Sequence, residues 1–373
     1  MKIGIPKELQ EAERRSAATP DTVKRYTAMG LEIVVEVGAG AGAAIADDAF
    51  TAAGATIGDE AAVWAADIVL KVQRPTEAEM ARLRQGQLLI GALDPYNNKD
   101  QVQAYAGAGA VAFAMELLPR TTRAQAMDVL SSQANLAGYK AVVDAMAEYG
   151  RVMPMMMTAA GTVTPAKVFI VGAGVAGLQA IATARRMGAV VTATDVRPAA
   201  REETESLGAK FVGFVPADAA TKGGYARPLT PEEQGEQAKM VAEHLKGQDI
   251  VVTTAQIPGR TAPRIVTAEM VKSMKSGSVV LDMAAESGGN VEGSKPGKTV
   301  TVGGVKLIGA RNLASRIAPA TTVLYAKNLF NFVQLLLDPK TKELKIDTAD
   351  DLIKGTLLTS GGQVVHDAFK PAA

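Results

Sequence analysis

Cysteine is absent from all 373 residues, so disulfide bracing, thiolate nucleophiles and thiolate-held zinc or iron–sulfur groups are excluded together. Histidine is almost absent as well: His244 and His366 lie far apart, and neither stands in a metal-ligand spacing. A metal would need a mostly carboxylate shell, for which the chain has no pattern, so no metal is expected. The formal charge of +1 makes no electrostatic case for a nucleic-acid partner. No run reaches the roughly 18 to 20 apolar residues that span a bilayer as a helix. The nearest, Ala104 to Met115, is shorter and glycine-interrupted, and reads as helix end, turn and buried strand. Met1 to Ile5 is strand-like and then turns polar, leaving no secretory signal core. A soluble chain is expected, and the missing cysteine suits a reducing compartment.

What is present is ordinary globular material, 47% hydrophobic and 21% charged, in a chain longer than one core usually supports. Two domains are expected, 1–135 with 325–373, and 136–324. In the first third, strand-like runs at Lys2 to Ile5, Glu32 to Glu36, Asp67 to Val72, Gln87 to Leu93 and Val111 to Met115 alternate with helical patterns. The helices are placed at Asp21 to Met29, Asp47 to Ala53, Glu77 to Arg84 and Lys99 to Ala106, which is the rhythm of a mainly parallel sheet. A long helix is expected over Gln133 to Tyr149, then Met153 to Met157 as flexible core filler at a domain junction. A second β/α series has strands near Lys167 to Val171, Val190 to Thr194, Lys210 to Val215, Asp249 to Thr254, Ser278 to Asp282 and Val305 to Ile308. Pro319 to Leu337 reads as a connecting helix returning to the first domain. The tail offers strands at Glu343 to Ile346 and Thr356 to Thr359, with a turn at Ser360 to Gly362.

The stretch that carries chemistry is Lys167 to Val171, an apolar strand that enters Gly172-Ala173-Gly174-Val175-Ala176-Gly177 and leaves as a helix. In such a GxGxxG turn the first glycine allows the tight bend, the second lets a pyrophosphate approach the backbone, and the third lets helix and strand pack closely. The helix N-terminus supplies free N–H groups and a favourable dipole. Asp195 follows the strand Val190 to Thr194, 18 residues past Gly177, where an acid accepts hydrogen bonds from an adenosine ribose. A 2′-phosphate would meet that carboxylate, so NAD(H) is preferred to NADP(H). Arg197, two residues on, is the residue type that neutralises such a phosphate, and pulls the other way. Thr254, Ala255 and Gln256, together with Asp282 to Ala285, stand at further strand ends and are candidates for cofactor contact.

A second polar cluster, Arg120 to Gln133, follows the strand Val111 to Met115. Its Arg120, Gln125, Asp128 and Ser131 offer charge and hydrogen bonds suited to orienting a carboxamide and a ribose. None is an obvious acid or base near neutral pH. A dehydrogenase acting on an alcohol or amine must also move a proton, usually through histidine or lysine. Hydride exchange between two nicotinamides needs no such group, and positioning would be the main catalytic contribution.

Met1 to Pro6, the stretch Arg120 to Tyr139, Met155 to Thr162 and the glycine turn with Ala193 to Arg197 together resemble the NAD(H)-binding alpha subunit of proton-translocating NAD(P) transhydrogenase, over essentially the whole chain. The resemblance implies two Rossmann-like parallel-sheet α/β domains joined by long helices, with an interdomain cleft, and a homodimer. It implies that Arg120, Gln125, Asp128 and Ser131 hold the nicotinamide, with Gln125 reaching toward the partner site. Tyr139 would flank the pocket, Tyr225 in Gly223 to Ala226 would close over the nucleotide, and Asp195 with Val196 and Arg197 would bind the ribose end. NADP(H) would be supplied by a separate beta subunit, and a second, membrane-embedded alpha polypeptide would complete the proton path. The chain would be the extramembrane alpha polypeptide of the split form, peripheral on the cytoplasmic side of the inner membrane. The alternatives are an alanine dehydrogenase-like enzyme, whose substrate-binding arginine and lysine are matched by Arg15 and Lys71 but whose histidine has no counterpart at Gly91 to Pro95, and a non-enzymatic NAD-binding regulator.

Overall fold

The computed structural model describes residues 1–213, 230–256 and 259–370. The chain forms two compact units, residues 1–133 with 314–373 and residues 134–313. Among the described residues no helix is long and apolar enough to cross a membrane.

The first unit is built on β1 (Lys2–Ile5), β2 (Glu32–Glu36), β3 (Thr56–Gly58), β4 (Ile68–Gln73), β5 (Leu88–Ala92) and β6 (Val111–Ala114). They lie in the order β3-β2-β1-β4-β5-β6, all parallel. Both faces are covered, as a parallel sheet requires. Along β4 the period of two sends Ile68, Leu70 and Val72 into one core and Val69 into another. The helix Pro20–Ala28 starts on a Thr19 capping box with Pro20 in its first turn, and Gly30 leaves it at φ +81°.

The chain returns at Ala314, and the helix Ala318–Leu335 buries Tyr325, Leu329, Phe332 and Val333 in the first core. Edge-to-face pairs Tyr26–Phe330 and Phe113–Phe332 fix its seat. The strand β16 (Leu357–Ser360) then pairs antiparallel with β6 and turns at Gly361 and Gly362 into β17 (Gln363–Val364).

The second unit carries a hairpin, β7 (Met156–Thr158) with β8 (Gly161–Val163). Its sheet is β9 (Lys167–Val171), β10 (Val190–Thr194), β11 (Lys210–Phe211), β12 (Ile250–Thr253), β13 (Val279–Asp282), β14 (Thr299–Val302) and β15 (Val305–Gly309). The order is β11-β10-β9-β12-β13-β15-β14, parallel except for the β14–β15 hairpin. The order reverses between β9 and β12, and in such sheets the crevice beyond the carboxyl ends of those strands takes the ligand.

Several expectations are corrected. Met155, Met156 and Met157 are not core filler: they are 57%, 47% and 76% exposed, and only Met153 is buried. The alternation of Met-Met-Thr with Gly-Thr-Val serves a two-stranded ribbon with no sheet beneath it. Glu77 to Arg84 is helical only over Glu77–Met80, which starts on the capping box of Thr76 and Glu79. Glu343 to Ile346 makes a single bridge, Leu337 to Leu344, rather than a strand. β3 and the short helix Glu60–Trp64 after it had no clear signal in the sequence.

Candidate dinucleotide site

β9 ends in Gly172, whose φ of +99° turns the chain out of the sheet. Gly174 caps the helix Val175–Arg186, and the first bond within that helix runs from Leu178 N–H to the Gly174 carbonyl at 2.8 Å. The N–H groups of the first turn therefore have no partner inside the helix. A Cβ on Gly174 would meet nothing within 4 Å, whereas one on Gly177 would lie 1.8 Å from the Gly172 carbonyl oxygen. The third glycine is thus demanded by packing, and the second leaves an open cradle over unpaired amides. Those residues fit a pyrophosphate.

Asp195, at the end of β10, is engaged on both oxygens. Oδ2 accepts from Ala173 N–H at 2.7 Å, which ties the acid to the glycine turn. Oδ1 accepts from the Arg197 N–H at 2.8 Å and from its Nε at 3.1 Å, and Arg197 Nη2 donates to the Ala173 carbonyl at 2.9 Å. Val196 is half-buried between them. From β12, the Thr254 hydroxyl donates to the Gly172 carbonyl at 2.9 Å, bracing the turn across the crevice. Ala255 is held at N–H and carbonyl by the fully buried Asn290, at 3.0 and 2.8 Å. Gln256 is exposed.

Asp282 does not belong with the cofactor contacts. It is fully buried, and its carboxylate accepts from the Thr253 hydroxyl and the N–H groups of Ala284, Asn290 and Val291. Its lone pairs are spent on the strand end. Asn290 was missed by sequence reasoning, since nothing in Gly288-Gly289-Asn290 points back to Ala255.

In the first unit, Thr122–Met127 forms a 3-10 turn that ends on Asp128. Asp128 accepts from the Ser131 N–H at 2.9 Å and from the Ser131 hydroxyl, capping the helix Val129–Glu148. Arg120 and Gln125 are exposed, and Arg123 pairs with Asp350. Tyr139 is 42% exposed on the same helix. Beside it stands Gly138, whose added Cβ would lie 2.1 Å from the Ala176 carbonyl. This mid-helix glycine, also missed, lets the long helix rest on the first turn of the glycine-motif helix. Tyr225 lies outside the described residues.

Arg15 and Lys71 are buried and already paired. Lys71 is fully buried, with Nζ 2.7 Å from Glu79 and 3.4 Å from Glu8. Arg15 forks onto Glu13 at 2.9 and 2.7 Å and reaches Gln133 at 2.8 Å. The Tyr325 hydroxyl donates to the Lys71 carbonyl at 3.0 Å and accepts from Ala92 N–H at 3.2 Å, sealing the strand ends above the core. Burial would lower the Lys71 ammonium, but Glu8 and Glu79 more than offset it. Burial also pushes the Glu8 carboxyl up to about 7 against the pull of Lys71. Among the described residues no group of acids and histidines is arranged to hold a metal.

Comparison with known proteins shows what the whole chain is similar to. The alanine dehydrogenase/PNT N-terminal domain description matches residues 4–137, and the C-terminal domain description residues 141–367. The chain is 50% identical over 379 residues to the first part of NAD(P) transhydrogenase subunit alpha of Rhodospirillum rubrum, covering 99% of each. It is similar to a solved transhydrogenase from Sinorhizobium meliloti, with a TM-score of 0.90 and 53% identity over 98% of this chain and 100% of that one. A solved L-alanine dehydrogenase superposes with a TM-score of 0.82 at 25% identity, over 99% and 98% of the two chains.

Proposed function

Because this chain belongs to the NAD(P) transhydrogenase alpha subunit family, matching the first polypeptide of a divided alpha subunit, we propose that it binds NAD(H) and passes hydride reversibly to and from NADP(H) held by a partner subunit. The observation that carries the reading is the open cradle at Gly174, braced by Thr254 and tied by Ala173 to an acid at the ribose position. Bound nicotinamide supplies the hydride chemistry. The chain's own contribution is binding and orientation. Arg120, Gln125, Asp128 and Ser131 hold the ring and its ribose, the cap between Asp128 and Ser131 fixing the direction in which that loop leaves the helix. Tyr139 flanks the nucleotide; Val175, Ala176, Val196 and Arg197 line the phosphate and ribose ends, with Ala255 and Gln256 beyond Thr254.

The pairing of the buried cations supports hydride exchange over amine oxidation. In the first unit the buried cations Arg15 and Lys71 are neutralised by Glu8, Glu13 and Glu79, which leaves neither of them free for a small carboxylate substrate. The remaining partners are the second, membrane-embedded alpha polypeptide and an NADP(H)-binding beta subunit, with coupling to proton translocation through them and attachment at the cytoplasmic face of the inner membrane. The protein is a homodimer, and the exposed apolar ribbon of Met156, Met157 and Val163 supports this, since a monomer rarely leaves such a patch in water. Sedimentation of Met157→Asp should shift mass toward the monomer; an unchanged dimer would remove the ribbon from the interface.

The test of function is Gln125→Asn, which keeps neutrality and shortens the amide by one methylene. With the NADP-binding partner present, single-turnover transfer should fall on the order of tenfold or more while NADH affinity changes a few-fold at most. Capping already falls to Asp128, so thermal stability should hold. Unchanged transfer at saturation would remove Gln125 from alignment. As a control, the unaltered protein should show no turnover with NAD and alanine, and robust turnover there would overturn the transhydrogenase reading.

A further inference from the structure

The pair Asp195 and Arg197 stands in an arrangement that a simple ribose-binding acid does not need. The guanidinium forks onto the carboxylate, Nε at 3.1 Å from Oδ1 and Nη2 at 3.3 Å from Oδ2, and also reaches the Ala173 carbonyl at 2.9 Å. Glu203 stands 3.7 Å from the same Nη2. The Asp195 acceptors are therefore shared among Ala173 N–H, Arg197 N–H and the fork. The cation sits at the carboxyl end of β10, where an adenosine ribose is received, and is only partly exposed.

We propose that Arg197 is a latent receptor for a 2′-phosphate that Asp195 keeps occupied, so that exclusion of NADP(H) rests on this ion pair as well as on the repulsion of phosphate by the carboxylate. The inference rests on the NAD(H)-binding reading above. A guanidinium already forked onto a carboxylate has its planar donor edge filled, and its charge is offset by Asp195 and Glu203. Without the Asp195 charge, Arg197 is still anchored by the Ala173 carbonyl and Glu203, but its fork is free to turn to a dianion. The same residue type that argues for NADP in the sequence is thus turned toward NAD by its neighbour.

The experiment titrates NADH and NADPH separately into the unaltered protein, Asp195→Asn, Arg197→Ala and the double variant, following nucleotide fluorescence. Asparagine keeps an acceptor for Ala173 N–H and removes the charge. Asp195→Asn should bind NADPH roughly tenfold or more tightly than the unaltered protein, as a charge-assisted contact to phosphate is gained. The double variant should lose that gain, and the gain should shrink with added salt. A gain that survives in the double variant, or no gain in an Asp195→Asn protein that still binds NADH, overturns the proposal. If Asp195→Asn does not fold, Glu203→Gln provides the second arm. It leaves Asp195 in place and should tighten NADPH a few-fold only while Arg197 is present, and no change would overturn the inference. Failure of the unaltered protein to bind NADH would instead overturn the functional reading, so the two failures are distinguishable.

Discussion

Gly177→Ala is expected to abolish measurable NADH binding and to destabilise the second unit, whereas Gly174→Ala is expected to lose binding with little change in stability. The two glycines share a motif but answer to different forces. An added Cβ at Gly177 lies 1.8 Å from the Gly172 carbonyl, far inside contact distance, and because the obstacle is backbone no rotamer change relieves it. Overpacking of this kind costs roughly 1–3 kcal/mol or more, which exceeds the gain of about 1 kcal/mol that alanine brings to a helix. The turn must open, and opening it breaks the bond from Thr254 to Gly172. At Gly174 the backbone has φ −69°, which alanine adopts freely, and nothing stands within 4 Å of the new methyl. Its stability cost is the loss of a good N-cap, about 1 kcal/mol or less. Its binding cost is larger, because the methyl fills the space over the free amides, and affinity should fall on the order of tenfold or more. Thermal unfolding and NADH titration of both variants check this. Equal stability losses would mean that packing alone explains both glycines, and retained affinity in Gly174→Ala would move the pyrophosphate elsewhere.

Lys71→Met should destabilise the first unit strongly at pH 8 and much less at pH 5. The side chain is fully buried between Glu79 and Glu8, so removing its charge strands two carboxylates in the core. Breaking one side of a buried ion pair typically costs about 3–5 kcal/mol. Glu8 already stands at about 7 with the lysine in place, and loses its main stabilising charge in the variant. A carboxyl whose folded pKa lies above its unfolded value holds more protons when folded, so its contribution to stability falls as pH rises through that window. The deficit of the variant should therefore grow from pH 5 to pH 8. Denaturation midpoints across that range give the result, and a pH-independent deficit would show that packing around Trp64, over whose ring the ammonium lies, outweighs charge. Glu79→Gln and Glu8→Gln, each leaving one carboxylate, should be tolerated better than the loss of the lysine.

The local sequence determined a good deal by itself. The central strands of both sheets were legible because a parallel sheet buried on both faces demands short unbroken apolar runs, as at Lys167 to Val171 and Ile250 to Thr253, whereas the edge strands Thr56–Gly58 and Thr299–Val302 were not. The glycine turn was legible because the bend at Gly172 and the contact of Gly177 with Gly172 are constraints within six residues, and Asp195 because a β/α/β unit fixes its distance along the chain. Tertiary structure decided what depends on partners far apart in sequence. Lys71 reads like a substrate contact until Glu8 and Glu79 close on it, and Asp282 reads like a pocket residue until Asn290, Val291 and Ala284 consume its lone pairs. Met155 to Met157 read like filler because apolar composition does not say whether a core lies beneath, and here none does within the chain's own unit. Gly138 and Asn290 had no signal at all, since a helix crossing and a loop clamp are set by elements 38 and 35 residues away, at Ala176 and Ala255. Hydrophobic period and turn chemistry act locally and can be read along a chain, whereas burial of charge and the sharing of hydrogen bonds exist only once distant segments meet.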